Sequence, residues 1–293
     1  MRKKANRKNF QFSVMAVIPV LLFYFTFYLI PMGMTIVTSF FDWSEIKIKG
    51  FAGFTNYIKL FHDTVFWISV KNILIWIGIA VFIHIPMALL VALLLSSKMR
   101  GWKVLRTLYF IPQIISNVAW ATIFMSVYNP SYGLLNGILK TVGLGKYAKN
   151  WLFDPITAWP AVICTWLFFI GMYSMIMLAE LISIPDELIE AAKIDGASRF
   201  QIARYIKIPL VRLVIGTCTI MTVAGGIKCF DSLYIMTNGA PNYRTETLSL
   251  FLYQQYSYAH FGYANTIGVF LLVMGIVIVS LVMKVLKTNE KIY

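Results

Sequence analysis

The sequence predicts an all-α integral membrane protein with six transmembrane helices. Hydrophobic residues make up 59% of the 293 residues and charged residues only 13%, whereas soluble domains carry about 25% charged residues. A soluble core could not bury so many apolar side chains, because the accessible surface also grows with chain length. The charged residues stand in short clusters between long apolar runs, which is the arrangement expected of a chain surrounded by lipid.

Six apolar segments have the length of about 20 residues that a spanning helix needs. Their predicted limits are 13–40, 72–96, 107–128, 157–181, 210–236 and 263–285. The third segment stops at Asn129-Pro130, and the fourth follows Asp154-Pro155. On this division residues 1–12 form a cytoplasmic N-terminal tail, residues 13–286 form one transmembrane domain, and residues 287–293 form a cytoplasmic C-terminal tail.

The basic residues predict the orientation of these spans. With both tails in the cytoplasm, 17 of the 26 Lys and Arg residues lie in inside segments and 8 in outside loops, which leaves Lys228 within the fifth span. An excess of Lys and Arg on the cytoplasmic side is the usual bias of membrane proteins. It explains the net charge of +14 without a nucleic-acid partner, and it places residues 182–209 in the cytoplasm.

A short helix is predicted at the start of this cytoplasmic segment. Pro185 suits a first helical turn, and the acidic Asp186 and Glu187 are favourable at the positive end of the helix dipole. Gly196 can adopt the left-handed conformation that ends such a helix.

A second short helix is predicted directly after the turn at Gly196. Ser198 followed by Gln201 forms a capping box that begins this helix, and Pro209 is expected to end it near the membrane. The segment is therefore a helical connector at the cytoplasmic face, either an ordinary one or one specialised for a partner.

The same segment contains a motif with fixed spacing. Three residues separate the run Glu190-Ala191-Ala192 from Gly196, and eleven separate Gly196 from Ile208-Pro209. This pattern resembles the EAA loop of binding-protein-dependent ABC importer permeases. The resemblance implies a cytoplasmic coupling helix that docks into an ATPase subunit. It assigns ATPase coupling to six residues, namely Glu190, Ala191, Ala192, Asp195, Gly196 and Pro209.

Motifs elsewhere resemble the carbohydrate branch of this family, the permeases related to the MalF subunit of maltose systems. They are Phe40-Phe41-Asp42-Trp43, Phe54-Thr55-Asn56-Tyr57, Phe230-Asp231 and Phe261-Gly262-Tyr263-Ala264. One departure is Asn238-Gly239-Ala240-Pro241, where family members often have Gly-Gly-Pro. The resemblance implies the type I ABC importer permease (MetI-like) fold, in the bacterial cytoplasmic membrane with both termini inside.

The resemblance also implies partners. A second homologous permease would complete a heterodimer, and two ATPase subunits would dock inside. An extracellular or periplasmic solute-binding protein would deliver a sugar, which would cross by alternating access. The sequence lacks the phosphate-loop pattern G-x-x-x-x-G-K-[ST]. ATP and Mg are therefore expected in the partner ATPase subunits, with no cofactor bound by this chain and no enzymatic activity of its own.

Lys228 and Asp231 are a charged pair within the fifth predicted span, where a charged residue costs at least about 2.5–3.5 kcal/mol. They are three residues apart, so on a continuous helix they would share a face and could pair. Two interpretations stay open: the two residues line a polar substrate pathway, or they form an internal ion pair that fixes helix packing.

Aromatic and amide side chains are further pathway candidates, because sugar faces stack on rings and sugar hydroxyls bind amides. The candidates are Trp166, Phe169, Tyr173, Phe230, Tyr234, Asn117 and Asn238. The alternative for each aromatic residue is a lipid-facing or packed position. His84, close to Pro86, is expected to be a satisfied packing or kink residue, and the alternative is that it lines the pathway.

Other functions stay open from the sequence alone. A permease of the same superfamily could import glycerol phosphate, a peptide or an amino acid. A secondary transporter independent of an ATPase would commonly show repeated halves, and no repeat is found. A membrane enzyme has no support, because the three His are scattered and the three Cys match no metal-ligand spacing.

Overall fold

A computed structural model of the chain is mostly helical, and it describes residues 15, 17–45, 47–97 and 99–286. The tails predicted at 1–12 and 287–293 lie outside the described residues. The chain divides into two compact units. The first comprises Met1–Asp63 with Leu252–Phe270, and the second comprises Thr64–Phe251 with Leu271–Tyr293.

Helices form most of the chain, and one short hairpin of two strands follows the first helix. The elements of the first half are α1 (Val17–Thr38), β1 (Phe41–Ser44), β2 (Lys47–Phe51), α2 (Thr55–His62), α3 (Thr64–Ser96), α4 (Trp102–Ile114), α5 (Asn117–Val127) and α6 (Leu134–Thr141). Those of the second half are α7 (Ala158–Leu167), α8 (Gly171–Ser183), α9 (Asp186–Ile194), α10 (Arg199–Leu210), α11 (Arg212–Ile227), α12 (Asp231–Met236), α13 (Leu248–Ser257) and α14 (Phe261–Val285).

The number of helices that can cross a membrane agrees with the predicted six. Within the described residues, four helical segments are long and apolar enough, namely α1, α3, α7 with α8, and α14. The bent pairs α4–α5 and α10–α11 bring the number to six when each pair counts as one span. The span limits differ most for the fifth span, where α10 and α11 cover 199–227 rather than the predicted 210–236, and next for α3, which begins at Thr64 rather than at the predicted residue 72.

The prediction of a continuous third span is wrong. Helices α4 and α5 meet at an angle of 102°, because Ile115 is extended and a new helix begins after Ser116. The Ser116 hydroxyl accepts the backbone N–H of Ala119 at 3.2 Å, which caps α5 at its first turn.

The prediction of a continuous fifth span is also wrong, because α11 ends at Ile227 and α12 begins at Asp231. Backbone groups freed by such a break need partners inside a membrane. Two hydroxyls supply them: Thr247 Oγ1 donates to the carbonyl oxygen of Cys229 (3.2 Å), and Ser249 Oγ donates to that of Ile227 (3.1 Å). The break is thus a stabilised part of the structure.

Three of the prolines that lie within helices each stand shortly after a five-residue π-helical turn. A proline has no N–H and would clash with the preceding turn of a regular α-helix, and the wider π-turn removes this conflict. The π-turns are Phe25–Leu29 before Pro31, Ala80–His84 before Pro86 and Ala203–Lys207 before Pro209. Helix α10 ends at Leu210, one residue after Pro209 and close to the end that the sequence predicts, and the chain bends by 70° before α11.

In the first unit, hydrogen bonds and close packing hold the hairpin of β1 and β2 in place. Asn56 Nδ2 donates to the carbonyl oxygens of Ser39 (2.9 Å) and Phe41 (3.0 Å). Gly262 approaches the same strand so closely that an added Cβ would overlap the carbonyl oxygen of Phe41. These residues belong to the motifs noted in the sequence, and their contacts give those motifs a structural role.

In the second unit, buried side chains form two apolar clusters. The first joins α3, α8 and α11 through residues such as Ala92, Met177 and Cys218. The second contains Trp76 and Leu233, together with residues of α5 and α7. The first cluster extends to Ile184 and Ile189, so it reaches the beginning of the predicted coupling segment.

Candidate functional site

Residues 182–209 have the local structure that the sequence predicts. Helix α9 covers Asp186–Ile194, and Gly196 follows with a left-handed φ of +82°. The capping box at Ser198 is complete: its hydroxyl accepts the N–H of Gln201 (3.3 Å), and the Gln201 side chain accepts the N–H of Ser198 (2.7 Å). The two-helix prediction is therefore confirmed.

The motif residues of this segment are accessible. Glu190 and Ala191 are exposed on α9, Ala192 is half-buried, and Asp195, Gly196 and Pro209 are exposed. Ile194 and Phe200 also present 86% and 70% of their surface. On its other side, α9 is anchored to the core by Ile189. The segment thus combines an anchored face with an open face of small, acidic and apolar side chains.

A hydrogen bond ties this segment to the end of α3. Lys207 Nζ donates to Ser96 Oγ at 3.0 Å. Burial lowers the pKa of Lys207 below its usual value, and the nearby ammonium of Lys193 acts in the same direction, whereas Asp186 opposes it. The contact gives α10 a polar link to α3 in addition to the apolar core.

A cavity of about 250 Å³ lies in the second unit where three helix interruptions meet. Gln113 and Asn117 border it at the α4–α5 bend, Phe169 at the 3-10 turn between α7 and α8, and residues 228–231 at the α11–α12 break. Most of the predicted pathway residues line this cavity. They are Asn117, Trp166, Phe169, Tyr173, Lys228, Phe230 and Asp231.

Two predicted pathway residues lie outside the cavity lining. Tyr234 stacks on Phe230 with ring centroids 5.2 Å apart and planes 16° apart. Asn238 is exposed and adopts a left-handed φ of +47° in the turn that precedes Pro241. Their predicted contact with substrate therefore has no support from the cavity.

Lys228 and Asp231 both reach the cavity, as the pathway interpretation requires, and they do not form the ion pair of the alternative interpretation. The shared helix face assumed for them is wrong, because Lys228 follows the end of α11 and Asp231 begins α12. Both side chains are exposed, and over the part of the chain that the structure describes no salt bridge joins them. A cation and an anion are thus available separately at the cavity.

Aromatic rings form one wall of the cavity. The ring centroid of Trp166 lies 4.8 Å from that of Trp76, and Trp120 meets Phe169 edge-on at 5.6 Å. His84 lies behind this wall, fully buried and stacked on Trp166 at 4.0 Å. The structure therefore places His84 as a packing residue, as predicted.

Comparison with known proteins identifies the family. Residues 84–289 match the family model described as binding-protein-dependent transport system inner membrane component. The chain belongs to this family. The permease is 34% identical over 280 residues to the probable ABC transporter permease protein YurN of Bacillus subtilis (strain 168), covering 94% of this chain and 95% of that protein.

Two further likenesses extend over nearly the whole permease. It is 30% identical to the trehalose/maltose transport system permease protein MalF of Thermococcus litoralis, with 96% of each chain covered. Its fold matches, with a TM-score of 0.86, a chain in the crystal structure of a bacterial alginate ABC transporter in complex with an alginate pentasaccharide-bound periplasmic protein. That likeness has 23% identity and covers 99% of both chains. The predicted importer-permease fold is confirmed.

The permease cavity also contains residues that the sequence did not single out, above all Trp76 and Gln113. Trp76 is 1% exposed, and its pyrrole ring fills the space beside Gly226, where an added Cβ would lie 2.8 Å from the indole. Within the described residues, neither Trp76 Nε1 nor Gln113 Nε2 has a hydrogen-bond partner. The sequence does not show that this tryptophan and this glutamine line a cavity, because hydropathy does not reveal which face of an apolar helix points toward it.

Proposed function

We propose that this permease is one of two membrane subunits of an ATP-driven importer that moves a sugar or oligosaccharide across the cytoplasmic membrane by alternating access. The relative MalF is a trehalose/maltose permease by its name, and the matched transporter structure concerns alginate. Both likenesses support a carbohydrate over glycerol phosphate, a peptide or an amino acid. The family description itself supports dependence on a solute-binding protein.

The cavity is the observation that carries the proposal. Its aromatic wall offers flat apolar faces to the C–H side of a sugar ring, and its polar groups offer donors and acceptors to hydroxyls. Two of the lining donors without a partner in the described structure, Trp76 Nε1 and Gln113 Nε2, suit this purpose, because buried donors are normally hydrogen-bonded. In the proposal, sugar hydroxyls complete these bonds, and Asn117, Lys228 and Asp231 orient the substrate.

The proposal includes a second homologous permease, so that the pathway lies in a heterodimer with both termini of this chain in the cytoplasm. Lys228 and Asp231 are exposed at the cavity. Exposed charges are unfavourable within a membrane unless they face water or another subunit. A partner across this surface would surround the substrate with residues of both chains.

The proposal also includes two ATPase subunits, which bind ATP and Mg and contact the open face of α9. Glu190 would make a charge-assisted hydrogen bond to a basic group of the ATPase, and Ala191 and Ala192 would allow close approach. Because Ile189 anchors α9 to the core and Lys207 bonds to Ser96, a displacement of α9 would reach α3 and α8 as a rigid-body movement.

The transport proposal is tested with the assembled importer, purified through a tag on this chain and reconstituted into liposomes with its solute-binding protein. We expect uptake of a radiolabelled sugar that requires ATP on the cytoplasmic side. Trp166→Leu should reduce the uptake strongly, whereas the control Trp67→Leu, at a residue that is 51% exposed and outside the cavity lining, should not. Uptake of only a non-carbohydrate solute would overturn the assignment of substrate.

The coupling assignment is tested separately. Glu190→Arg and Gly196→Asp should abolish ATP-dependent uptake while the chain still inserts into the membrane. Glu187→Arg on the same helix is the matched control, because it makes the same charge change outside the motif. Normal uptake with both motif variants, or equal loss with the control, would contradict the role assigned to the motif.

A further inference from the structure

We infer that His84 is a positioning residue for transport. It holds two rings that line the cavity, Trp166 and Tyr173, at a fixed angle across the helix interruption at residues 168–170. His84 belongs to none of the sequence motifs, and it lies outside the cavity lining. The inference rests on the proposed function, because the angle between the two rings affects transport only if substrate passes along them.

The contacts of His84 reach both sides of the interruption. Its ring centroid lies 4.0 Å from that of Trp166 with the planes 12° apart, and 5.5 Å from that of Tyr173 with the planes 78° apart. Trp166 stands near the end of α7, and Tyr173 stands near the start of α8. One imidazole therefore touches a cavity-lining ring from each of the two helices that the 3-10 turn separates.

The surroundings of His84 indicate that it acts by packing through the flat face of its imidazole and not by hydrogen bonding. His84 is 0% exposed, and neither of its ring nitrogens has a hydrogen-bond partner among the described residues. Burial of an unpartnered polar ring is unfavourable, so hydrogen bonding within the chain does not explain the residue. The imidazole is the smallest aromatic side chain, and it fits as a thin flat ring between Trp166 and Tyr173.

The backbone of α3 supports the same role. His84 is the last residue of the π-turn Ala80–His84, and such turns within α-helices frequently occur at functional sites. The extra residue in the turn changes the direction of the side chains around it. It thereby sets the orientation of His84 toward α7 and α8.

The test compares His84→Phe, which keeps a flat ring, with His84→Gln, which keeps a polar side chain of similar size without a ring. Both are assayed in the assembled importer in liposomes, and the readout is the number of sugar molecules moved per ATP hydrolysed. We expect His84→Gln to lower this ratio about threefold to tenfold, the size of one aromatic pair. Stimulation of ATP hydrolysis by the loaded binding protein should persist, and His84→Phe should keep more than half of the ratio.

Ile73→Ala is the control for general destabilisation, because Ile73 is fully buried in α3 but lies outside both the cavity lining and the core cluster that reaches α9. It should lower the yield of assembled importer but leave the ratio unchanged. The inference is overturned if His84→Gln transports like the wild type, if His84→Phe and His84→Gln lower the ratio equally, or if Ile73→Ala lowers it as well. A wild-type importer that moves no sugar would instead overturn the proposed function.

A second comparison applies if His84→Gln fails to assemble. Trp166→Leu removes the same ring stack from the other side and should lower the ratio by the same threefold to tenfold. In that background His84→Phe should have no further effect, because the stack is already lost. A further loss would show that His84 acts independently of Trp166 and would overturn the inference.

Discussion

Gly171 stands at the start of α8, and its replacement by alanine tests how closely α8 packs against α4 beside the cavity. A Cβ at this position would overlap the carbonyl oxygen of Tyr109, and it would lie 3.0 Å from the Tyr109 carbonyl carbon and 3.2 Å from Cγ of Gln113. The two Tyr109 atoms belong to the backbone and cannot rotate away. Gly171→Ala must therefore push the two helices apart.

Overpacking of this kind costs about 1–3 kcal/mol, which corresponds to about a 5- to 150-fold change in the ratio of folded to unfolded protein. Gly78 in α3 provides a matched control. Within the described residues, no atom lies within 4 Å of a Cβ added there. Gly78→Ala should therefore be neutral or stabilising by up to about 1 kcal/mol, as expected of an unstrained Gly-to-Ala change.

The assay is thermal denaturation of the purified permease in one detergent, followed by the fraction of protein that stays monodisperse. The midpoint of Gly171→Ala should lie at least about 3 °C below that of Gly78→Ala. Sugar uptake should fall as well, because the displaced Gln113 lines the cavity. Equal midpoints for the two variants would refute the close contact between α4 and α8.

Three further predictions concern the interruption in the fifth span, the segment 182–209 proposed for coupling, and the loop at residues 150–158. Thr247→Val removes the hydroxyl that donates to the carbonyl oxygen of Cys229 and should lower the free energy of unfolding by about 1–3 kcal/mol. Thr247→Ser should restore the thermal midpoint, and an unchanged midpoint for Thr247→Val would contradict the prediction. Lys207→Met removes the bond to Ser96 and should lower the sugar moved per ATP in liposomes; normal coupling would argue against a mechanical link. The pKa of Asp154 is held below its usual value, chiefly by the backbone N–H of Ile156 and also by Lys149. Its stabilising effect is therefore present above the ordinary pKa of the carboxyl and is lost as the pH falls through the lowered pKa. Hydrogen exchange of residues 150–158, corrected for intrinsic rates, should accelerate in that acidic range for the wild type but not for Asp154→Asn, and equal profiles would refute the prediction.

The coupling segment could be predicted in detail because its signals are local. The acidic first turn of α9, the glycine at position 196 and the capping box at Ser198 each act within four residues. The backbone then adopts the conformation that these residues favour, and the structure has the same turn and the same caps. The helix also ends close to the predicted Pro209, at Leu210.

The interruptions within the spans could not be predicted from composition. An apolar run that ends one helix at Ile114 and begins the next at Asn117 has the same hydropathy as a straight span. The break after Ile227 depends on hydroxyls of Thr247 and Ser249, about 20 residues away in the sequence. Such long-range partners are not visible in a local pattern.

Only part of the candidate site could be predicted, because some of its residues stand out in the sequence and others do not. Lys228 and Asp231 stand out because charges in an apolar run are costly, and the structure brings both to the cavity. Trp76 gave no such signal, because residues 73–83 around it in α3 are all apolar or glycine. Tyr234 was included on residue type alone, and its ring stacks outside the lining instead.

The π-turns before Pro31, Pro86 and Pro209 bear on attempts to lock this transporter in one state. Proline is the usual first choice when a flexible point in a membrane helix is sought. In this permease each of these prolines is already accommodated by its own wide turn, and α3 runs through Pro86 as one span. The interruptions at residues 168–170 and 228–230 contain no proline. Engineered cross-links intended to arrest the transport cycle should therefore bridge these two interruptions.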